Sequence, residues 1–393
     1  MLQVPQQSGN RRGNRSPPRL PKKTPCIAGR NSPICANMSR SKGDGSVSRN
    51  YSRNTLNPAK RYVAMKNMAA SVRMRLLALA KERKEDFNLV LERYGLERVL
   101  FRLSNSSHVD RFVLKGGLLV SLWAKDTYRP TRDADMLAYG DASPEVLVGI
   151  FQELCKMDLE PDGLVFDSAT ITTELIKEDQ EYGGVRLLIE AKLEQAKLHI
   201  QFDIGVGDAV SPAPQVAEYP SLLQGLTSPK LKMYPPETVV AEKFETIVRR
   251  GLDNSRMKDY YDLWFLQQIF NFDGENLAKA LATTFNRRRR AFDCELPEGL
   301  SDQFCRDERK LKQWDAFLKR NPMQLPRTPL AQVVAQITNF IAPVYQACAE
   351  EKVFRGRWEC SGSWLSVPAA ASHQEPECPS NSLDSSSNTQ GSS

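Results

Sequence analysis

Histidine is scarce in this chain, with three in all, and the eight cysteines (Cys26, Cys35, Cys155, Cys294, Cys305, Cys348, Cys360 and Cys378) are scattered without a CxxC pair. That scarcity argues against a structural zinc site and against a disulfide framework. Long apolar runs are also missing. No stretch approaches the ~20 residues needed to span a bilayer, and the opening MLQVPQQSGNRRGNRS has charge with no apolar segment behind it. A cytoplasmic protein without a membrane partner is expected. Acids are nearly absent from the first 61 residues, where 13 Lys+Arg face a single acid, Asp44, while the remaining chain holds 41 Lys+Arg against 46 Asp+Glu. The formal charge of +7 is thus a property of the leading segment and does not by itself indicate nucleic acid.

What is present is enough for two domains: 393 residues, 41% of them apolar. Residues 1 to about 61 are rich in Pro, Ser, Asn, Gly and Arg and lack apolar periodicity, so they bury too little surface to offset ordering entropy. The segment 1–65 is expected to be a disordered basic extension. Of two readings, a basic RNA-attracting arm and an overlong gene model with translation starting at Met38, Met65 or Met68, the second is favoured.

Order is expected from about Ala69, where Val72, Leu76 and Leu79 recur at helical spacing, followed by the stripes Phe87/Val90/Leu91/Tyr94 and Leu96/Val99/Leu100/Leu103. These helices read as a packing layer. The period then changes. Phe112 to Lys115 reads as a strand halted by Gly116-Gly117, Leu118 to Trp123 as a short helix broken at Arg129-Pro130-Thr131, and Asp133 to Tyr139 as a second strand. Val185 to Leu193 and Lys197 to Ile204 form a hairpin pattern, with Ile200, Phe202 and Ile204 on one face and His199, Gln201 and Asp203 on the other. From Pro235-Pro236 the chain turns helical to about Ala349, and past Leu365 it returns to Ser, Pro and Asn. An α+β fold is expected, with domains at 66–230 and 231–350 and a loose tail at 366–393.

Two carboxylates alternating along a strand, Asp133 and Asp135, point the same way and suit a hard divalent cation. Gly116 and Gly117, lacking Cβ atoms, allow backbone N–H groups to approach a phosphate. Each signal is weak alone, because most DxD pairs are solvated and most Gly-Gly pairs are turns. Their order along the chain, with a later strand carrying Asp203, is far more restrictive and describes a phosphoryl-transfer site.

FVLKGG followed by RPTRDADML resembles the opening motif of the AbiEii/AbiGii toxin family of nucleotidyltransferases, a branch of the polymerase-β-like fold. QFDIGVGD is similar to the family's third-acid strand, YPPETVVAEKFETIV to its lysine helix and NSRMKDYYDL to its final helix, so the likeness covers about residues 66 to 345. Gly117 stands where many relatives have Ser, which leaves only backbone donors at that position. The resemblance implies a polymerase-β-like core with a mixed sheet, N-terminal helices and a C-terminal helical domain. It further implies Mg²⁺ or Mn²⁺ held by Asp133, Asp135 and Asp203, with an NTP as substrate. Nucleotide contacts are implied for Gly116, Gly117, Lys243, Arg256 and Lys258, and a catalytic role for Lys243 and Asp259.

On the helix bearing Val240, Phe244 and Ile247, Lys243 flanks the apolar stripe and Glu242 falls on the far side. Such a lysine snorkels or faces phosphate, and the resemblance implies phosphate. Asp259 and Asp262 share the inward stripe of the next helix and need partners there. The Arg287–Arg290 run, between Phe285 and Phe292, is read as a solvated loop in preference to an RNA contact. His199 is read as structural.

The activity so implied is transfer of NMP from an NTP to RNA, most attractively the 3′ end of tRNA, by a phage-defence toxin. A cognate antitoxin with a winged-helix DNA-binding region would be encoded nearby, without a tight complex. The alternatives are a nucleotidyltransferase acting on a small molecule or protein, and a catalytically silent nucleotide-binding regulator.

Overall fold

The computed structural model describes residues 58–124, 131–178, 182–320, 327–360 and 362–366. The leading segment up to residue 57, the Arg129-Pro130 break and the tail beyond residue 366 lie outside the described residues. Two helices come first, α1 (Pro58–Arg83) and α2 (Phe87–Ser104). α1 starts earlier than the periodicity indicates, inside the segment expected to be disordered. Its first turns, PAKRYVAM, carry no apolar stripe to read, although Pro58 suits the first turn of a helix. Asp86 caps α2 by accepting from the Leu89 N–H at 3.1 Å.

The sheet is mixed, as expected, and has seven strands in the order β3-β4-β5-β2-β1-β7-β6. In chain order these are β1 (Phe112–Lys115), followed by helix α3 (Gly116–Trp123), then β2 (Asp133–Ala138) and helix α4 (Pro144–Lys156). Next come β3 (Leu164–Glu178), β4 (Tyr182–Leu193), β5 (Ala196–Val206), β6 (Gln215–Glu218) and β7 (Lys230–Met233). β2 runs parallel to β5 and antiparallel to β1, whose other edge pairs in parallel with β7. Three of these strands, β3, β6 and β7, were not legible. β3 is an edge strand whose inward positions include Ser168 and Thr170, so its alternation is not an apolar one, and all of β6 is exposed. The expected boundary at 230/231 falls inside β7.

In β5, Leu198, Ile200, Phe202 and Ile204 are buried while His199 is exposed and Gln201 and Asp203 are partly exposed, the two faces expected from the alternation. The apolar face takes α2 and α4. Close approach of α2 requires Gly95, since a Cβ there would stand 2.8 Å from Ile200 Cδ1. Arg98, fully buried on α2, holds Asp162 at 3.4 Å and Glu160 at 2.7 Å, so this layer is a structural clamp.

The second half is helical: α5 (Pro236–Arg250), α6 (Met257–Ile269), α7 (Gly274–Arg287), α8 (Asp302–Arg306), α9 (Glu308–Arg320) and α10 (Leu330–Ala349). α6 is buried nearly all round, which places it at the centre of the bundle. A small sheet of β8 (Phe272–Asp273), β9 (Gly356–Glu359) and β10 (Ser363–Ser366) closes the far end, its last two strands falling between the expected helical domain and the expected tail. Trp358 is buried and anchors it, its indole N–H donating to Gln267 O at 2.8 Å. Among the described residues no helix is long and apolar enough to cross a membrane.

Candidate active site

The polar face of the sheet carries a row of four charged side chains. Lys115 on β1 is the register partner of Asp135 on β2, Asp135 is the partner of Asp203 on β5, and Asp203 is the partner of Arg186 on β4. Direct partners share a face, so strand pairing alone aligns cation, acid, acid and cation. Asp133 lies two residues before Asp135 on the same face. One carboxylate oxygen from each of Asp133, Asp135 and Asp203 falls within 4.8 Å of the others, a spacing that fits a divalent cation. The triad read from the sequence is therefore assembled in space.

Each acid is held by its own neighbours. Thr131 Oγ1 donates to Asp133 Oδ1 at 2.7 Å, and the Gly117 N–H donates to Asp135 Oδ2 at 3.3 Å. Asp203 accepts from Arg186 through Nε at 2.9 Å and Nη2 at 2.8 Å, and from Gln201 Nε2 at 3.1 Å. Desolvation, followed by repulsion from Asp133, pushes the Asp135 carboxyl above its ordinary range, against the pull of Lys115 and Lys258. A carboxylate desolvated in this way gains more from a cation than a solvated one would.

The glycine turn is shaped to this site. Gly116 has φ +71°, and a Cβ there would stand 1.8 Å from Asp135 Oδ2. Gly116→Ala is expected to displace the Asp135 carboxylate and weaken Mn²⁺ binding at least tenfold, about 1.4 kcal/mol, in a titration followed by electron paramagnetic resonance. Unchanged Mn²⁺ affinity would show that the turn does not shape the acid site.

Arg186 is the site residue that the sequence concealed, because only strand register brings it to Asp203. Its paired geometry means a cation and a guanidinium compete for the same carboxylate. Arg186→Met is accordingly expected to tighten Mn²⁺ binding by about tenfold, or 1.4 kcal/mol, measured by calorimetry on the nucleotide-free protein. Weaker binding would instead make Arg186 a support that orients Asp203.

At the Lys115 end of the row the cluster continues. Lys115 Nζ lies 2.5 Å from Asp208 Oδ2 and 3.7 Å from Glu242 Oε1. Desolvation alone would depress that lysine, yet Glu242 and Asp208 hold it above its ordinary value. Glu242, expected on the far side of its helix, instead faces the sheet's polar row. A fully buried Glu245 sits one turn on, 3.1 Å from Arg290 Nε, 3.6 Å from Arg249 Nε and hydrogen-bonded to Arg288. The Arg287–Arg290 run is therefore a solvated loop only in part: Arg287 and Arg289 are exposed, Arg287 donating to Gly207 O, while Arg288 and Arg290 turn inward. The flanking rings are also internal, Phe285 stacking on Phe292 at 4.4 Å. A cavity of ≈ 220 Å³ opens among these groups, lined by Asp135, Asp203, Lys115, Arg186, Arg288 and Arg290 with several others.

Lys243 has a different setting from the triad. Its Nζ lies 2.5 Å from Asp262 Oδ2 and 3.5 Å from Asp259 Oδ1, while Arg256 Nε is 2.7 Å from Asp259 Oδ2. The partners that the two inward acids of α6 require are thus Lys243 and Arg256, which tie α5 to α6. Desolvation would raise Asp259, but Lys243, Arg256 and Lys258 hold it below its ordinary value. Lys258 itself is exposed, and its charge reaches Asp135. His199 lies outside the row, its ring 3.9 Å from Glu190.

Residues 98–338 match a family model described as "Nucleotidyl transferase AbiEii toxin, Type IV TA system". Among solved structures, a candidate nucleotidyltransferase from H. pylori is 14% identical with a TM-score of 0.36, covering 65% of this chain and 94% of that one. JHP933 from Helicobacter pylori is likewise 14% identical with a TM-score of 0.35, covering 65% and 91% of the two chains. A comparison with curated proteins finds no match.

Proposed function

The chain belongs to the AbiEii toxin family of nucleotidyltransferases from type IV toxin–antitoxin systems, and from that premise we propose that it transfers NMP from an NTP to an RNA hydroxyl, that of a tRNA 3′ end. The observation that carries this reading is the convergence of Asp133, Asp135 and Asp203 within 4.8 Å beside the Gly116-Gly117 turn. Three carboxylate oxygens, one of them from the desolvated Asp135, suit Mg²⁺ or Mn²⁺, which when bound would offset phosphate charge and polarise the α-phosphate.

The protein's own groups supply the rest. Asp203 accepts the proton of the attacking hydroxyl through a carboxylate oxygen that Arg186 vacates. The hydroxyl oxygen then bonds to the α-phosphorus as the bond to the β-phosphate oxygen breaks, and pyrophosphate leaves with that electron pair. Lys258 and Arg256, at the start of α6, offset charge on the nucleotide, while Lys243 and Asp259 hold that helix end in position. The Gly117 N–H turns from Asp135 to phosphate as the site fills, with the Gly116 N–H beside it.

Incubating purified protein with each labelled nucleotide, Mg²⁺ and total RNA tests this. Label that vanishes with nuclease and survives protease supports RNA as acceptor, and the reverse result would make the acceptor a protein. One observation favours a second reading: Arg186 already neutralises Asp203, as in a site that binds nucleotide without turnover. Under that reading Asp133→Ala would leave growth inhibition undiminished on expression, whereas transfer chemistry requires the inhibition to disappear.

A further inference from the structure

Outside the acid triad, a single carboxylate carries three guanidiniums. Glu245 is fully buried, and its side chain is shared among Arg249, Arg288 and Arg290, whose own side chains are 27%, 21% and 32% exposed. Chain geometry makes this sharing possible. α7 ends at Arg287, the Arg288 N–H still bonds Thr284 O, and Arg289 adopts φ 48°, which returns Arg290 to the same side. Lys115, Asp208 and Glu242 continue the cluster, Lys115 lying against both acids and Arg288 within reach of their charge. Desolvation pushes the Glu242 carboxyl up, against the pull of Lys115 and Arg288.

The three guanidiniums face a space suited to an anion. Arg249, Arg288 and Arg290 all line the ≈ 220 Å³ cavity that also reaches Asp135 and Asp203. A single water needs only ~10–15 Å³, so the volume admits a chain of phosphates. Gly183, Gly184 and Gly205 form part of the wall, which leaves that side open to the backbone. Guanidiniums match phosphate oxygens in planar geometry, and a carboxylate that holds them in place lowers the entropy lost when they bind.

We propose that Arg249, Arg288 and Arg290, racked by Glu245, form a binding site for a polyphosphate: the β- and γ-phosphates of the nucleotide before transfer and pyrophosphate after it. The assignment rests on reading the adjacent triad as a nucleotidyltransferase site, but its test does not depend on turnover. In such a site Glu245 competes with the anion for the guanidiniums, and so limits how tightly pyrophosphate is retained.

Calorimetric titration of the full chain with tripolyphosphate, in the absence of divalent metal, provides the test. The wild-type protein should bind it, ATP should displace it, and affinity should fall steeply with salt. Arg290→Gln, chosen as the most exposed of the three, should weaken binding at least tenfold, with Arg290→Lys retaining part of the loss. Glu245→Gln should tighten binding severalfold, an effect that a purely structural role for this carboxylate would not produce. Circular dichroism and melting curves of each variant check folding. If Arg290→Gln fails to fold, Arg290→Lys, which keeps a cation beside Glu245, decides the matter in the same titration. The proposal is overturned if wild-type protein binds no tripolyphosphate, if ATP fails to displace it, or if folded Arg290→Gln binds it unchanged. It is also overturned if the substitution removes binding of an RNA oligonucleotide and spares that of tripolyphosphate, which would place the acceptor backbone there. Normal tripolyphosphate binding with no nucleotide transfer to any acceptor would sink the transferase reading and leave the anion site standing.

Discussion

Asp135→Asn is expected to lower nucleotide transfer by at least ~10³-fold without lowering the melting temperature. The carboxylate is the central member of the triad, within 4.8 Å of both other acids, and sits between Lys115 and Asp203 in the strand register. Asparagine keeps the shape and keeps an oxygen for the Gly117 N–H, so local structure should survive. Stability should not suffer, because desolvation and Asp133 already oppose the charge that the substitution removes. A single-turnover assay together with a melting curve separates the two effects. Transfer within tenfold of wild type, in a protein that binds Mn²⁺ normally, would mean the chemistry takes place elsewhere.

Lys243→Met is expected to cost ~3–5 kcal/mol of folding free energy, a large part of the ~5–15 kcal/mol that domains typically have. Asp262 is fully buried, and desolvation pushes its carboxyl well up, so it depends on the ammonium 2.5 Å away. Removing that ammonium leaves a carboxylate that must stay charged at high cost or take up a proton. The double variant Lys243→Met/Asp262→Leu should recover much of the loss, because Asp259 retains Arg256 at 2.7 Å. Urea unfolding of the two variants measures this. If Lys243→Met unfolds like wild type yet loses transfer, the lysine acts on the nucleotide and the strut reading fails.

These expectations differ in how far they were accessible before the fold was known. Asp133 and Asp135 were legible because strand alternation is a local rule: two residues apart means one face. Asp203 was legible for the same reason, its strand alternating with buried Phe202 and Ile204. Gly116-Gly117 stood out because glycine pairs punctuate chains, and the positive φ at Gly116 agrees with that signal. The motif order along the chain then named the family, which the match over residues 98–338 bears out.

Other features were hidden for equally physical reasons. Arg186 lies in RLLIEAKL with nothing to mark it, and becomes a site residue only because β4 pairs with β5 in the register that sets it opposite Asp203. Arg288 and Arg290 read as solvated because charge runs usually are, yet a buried Glu245 more than 40 residues earlier turns them inward. Lys243 illustrates the boundary. Its place beside an apolar stripe followed from helical periodicity, but whether it met phosphate or carboxylate depended on how α5 crosses α6. Periodicity within one element is encoded by spacing along the chain, so the sequence by itself determined the faces, the acids and the family. Which charges meet across elements is decided by register and helix packing, and those depend on the whole core closing at once.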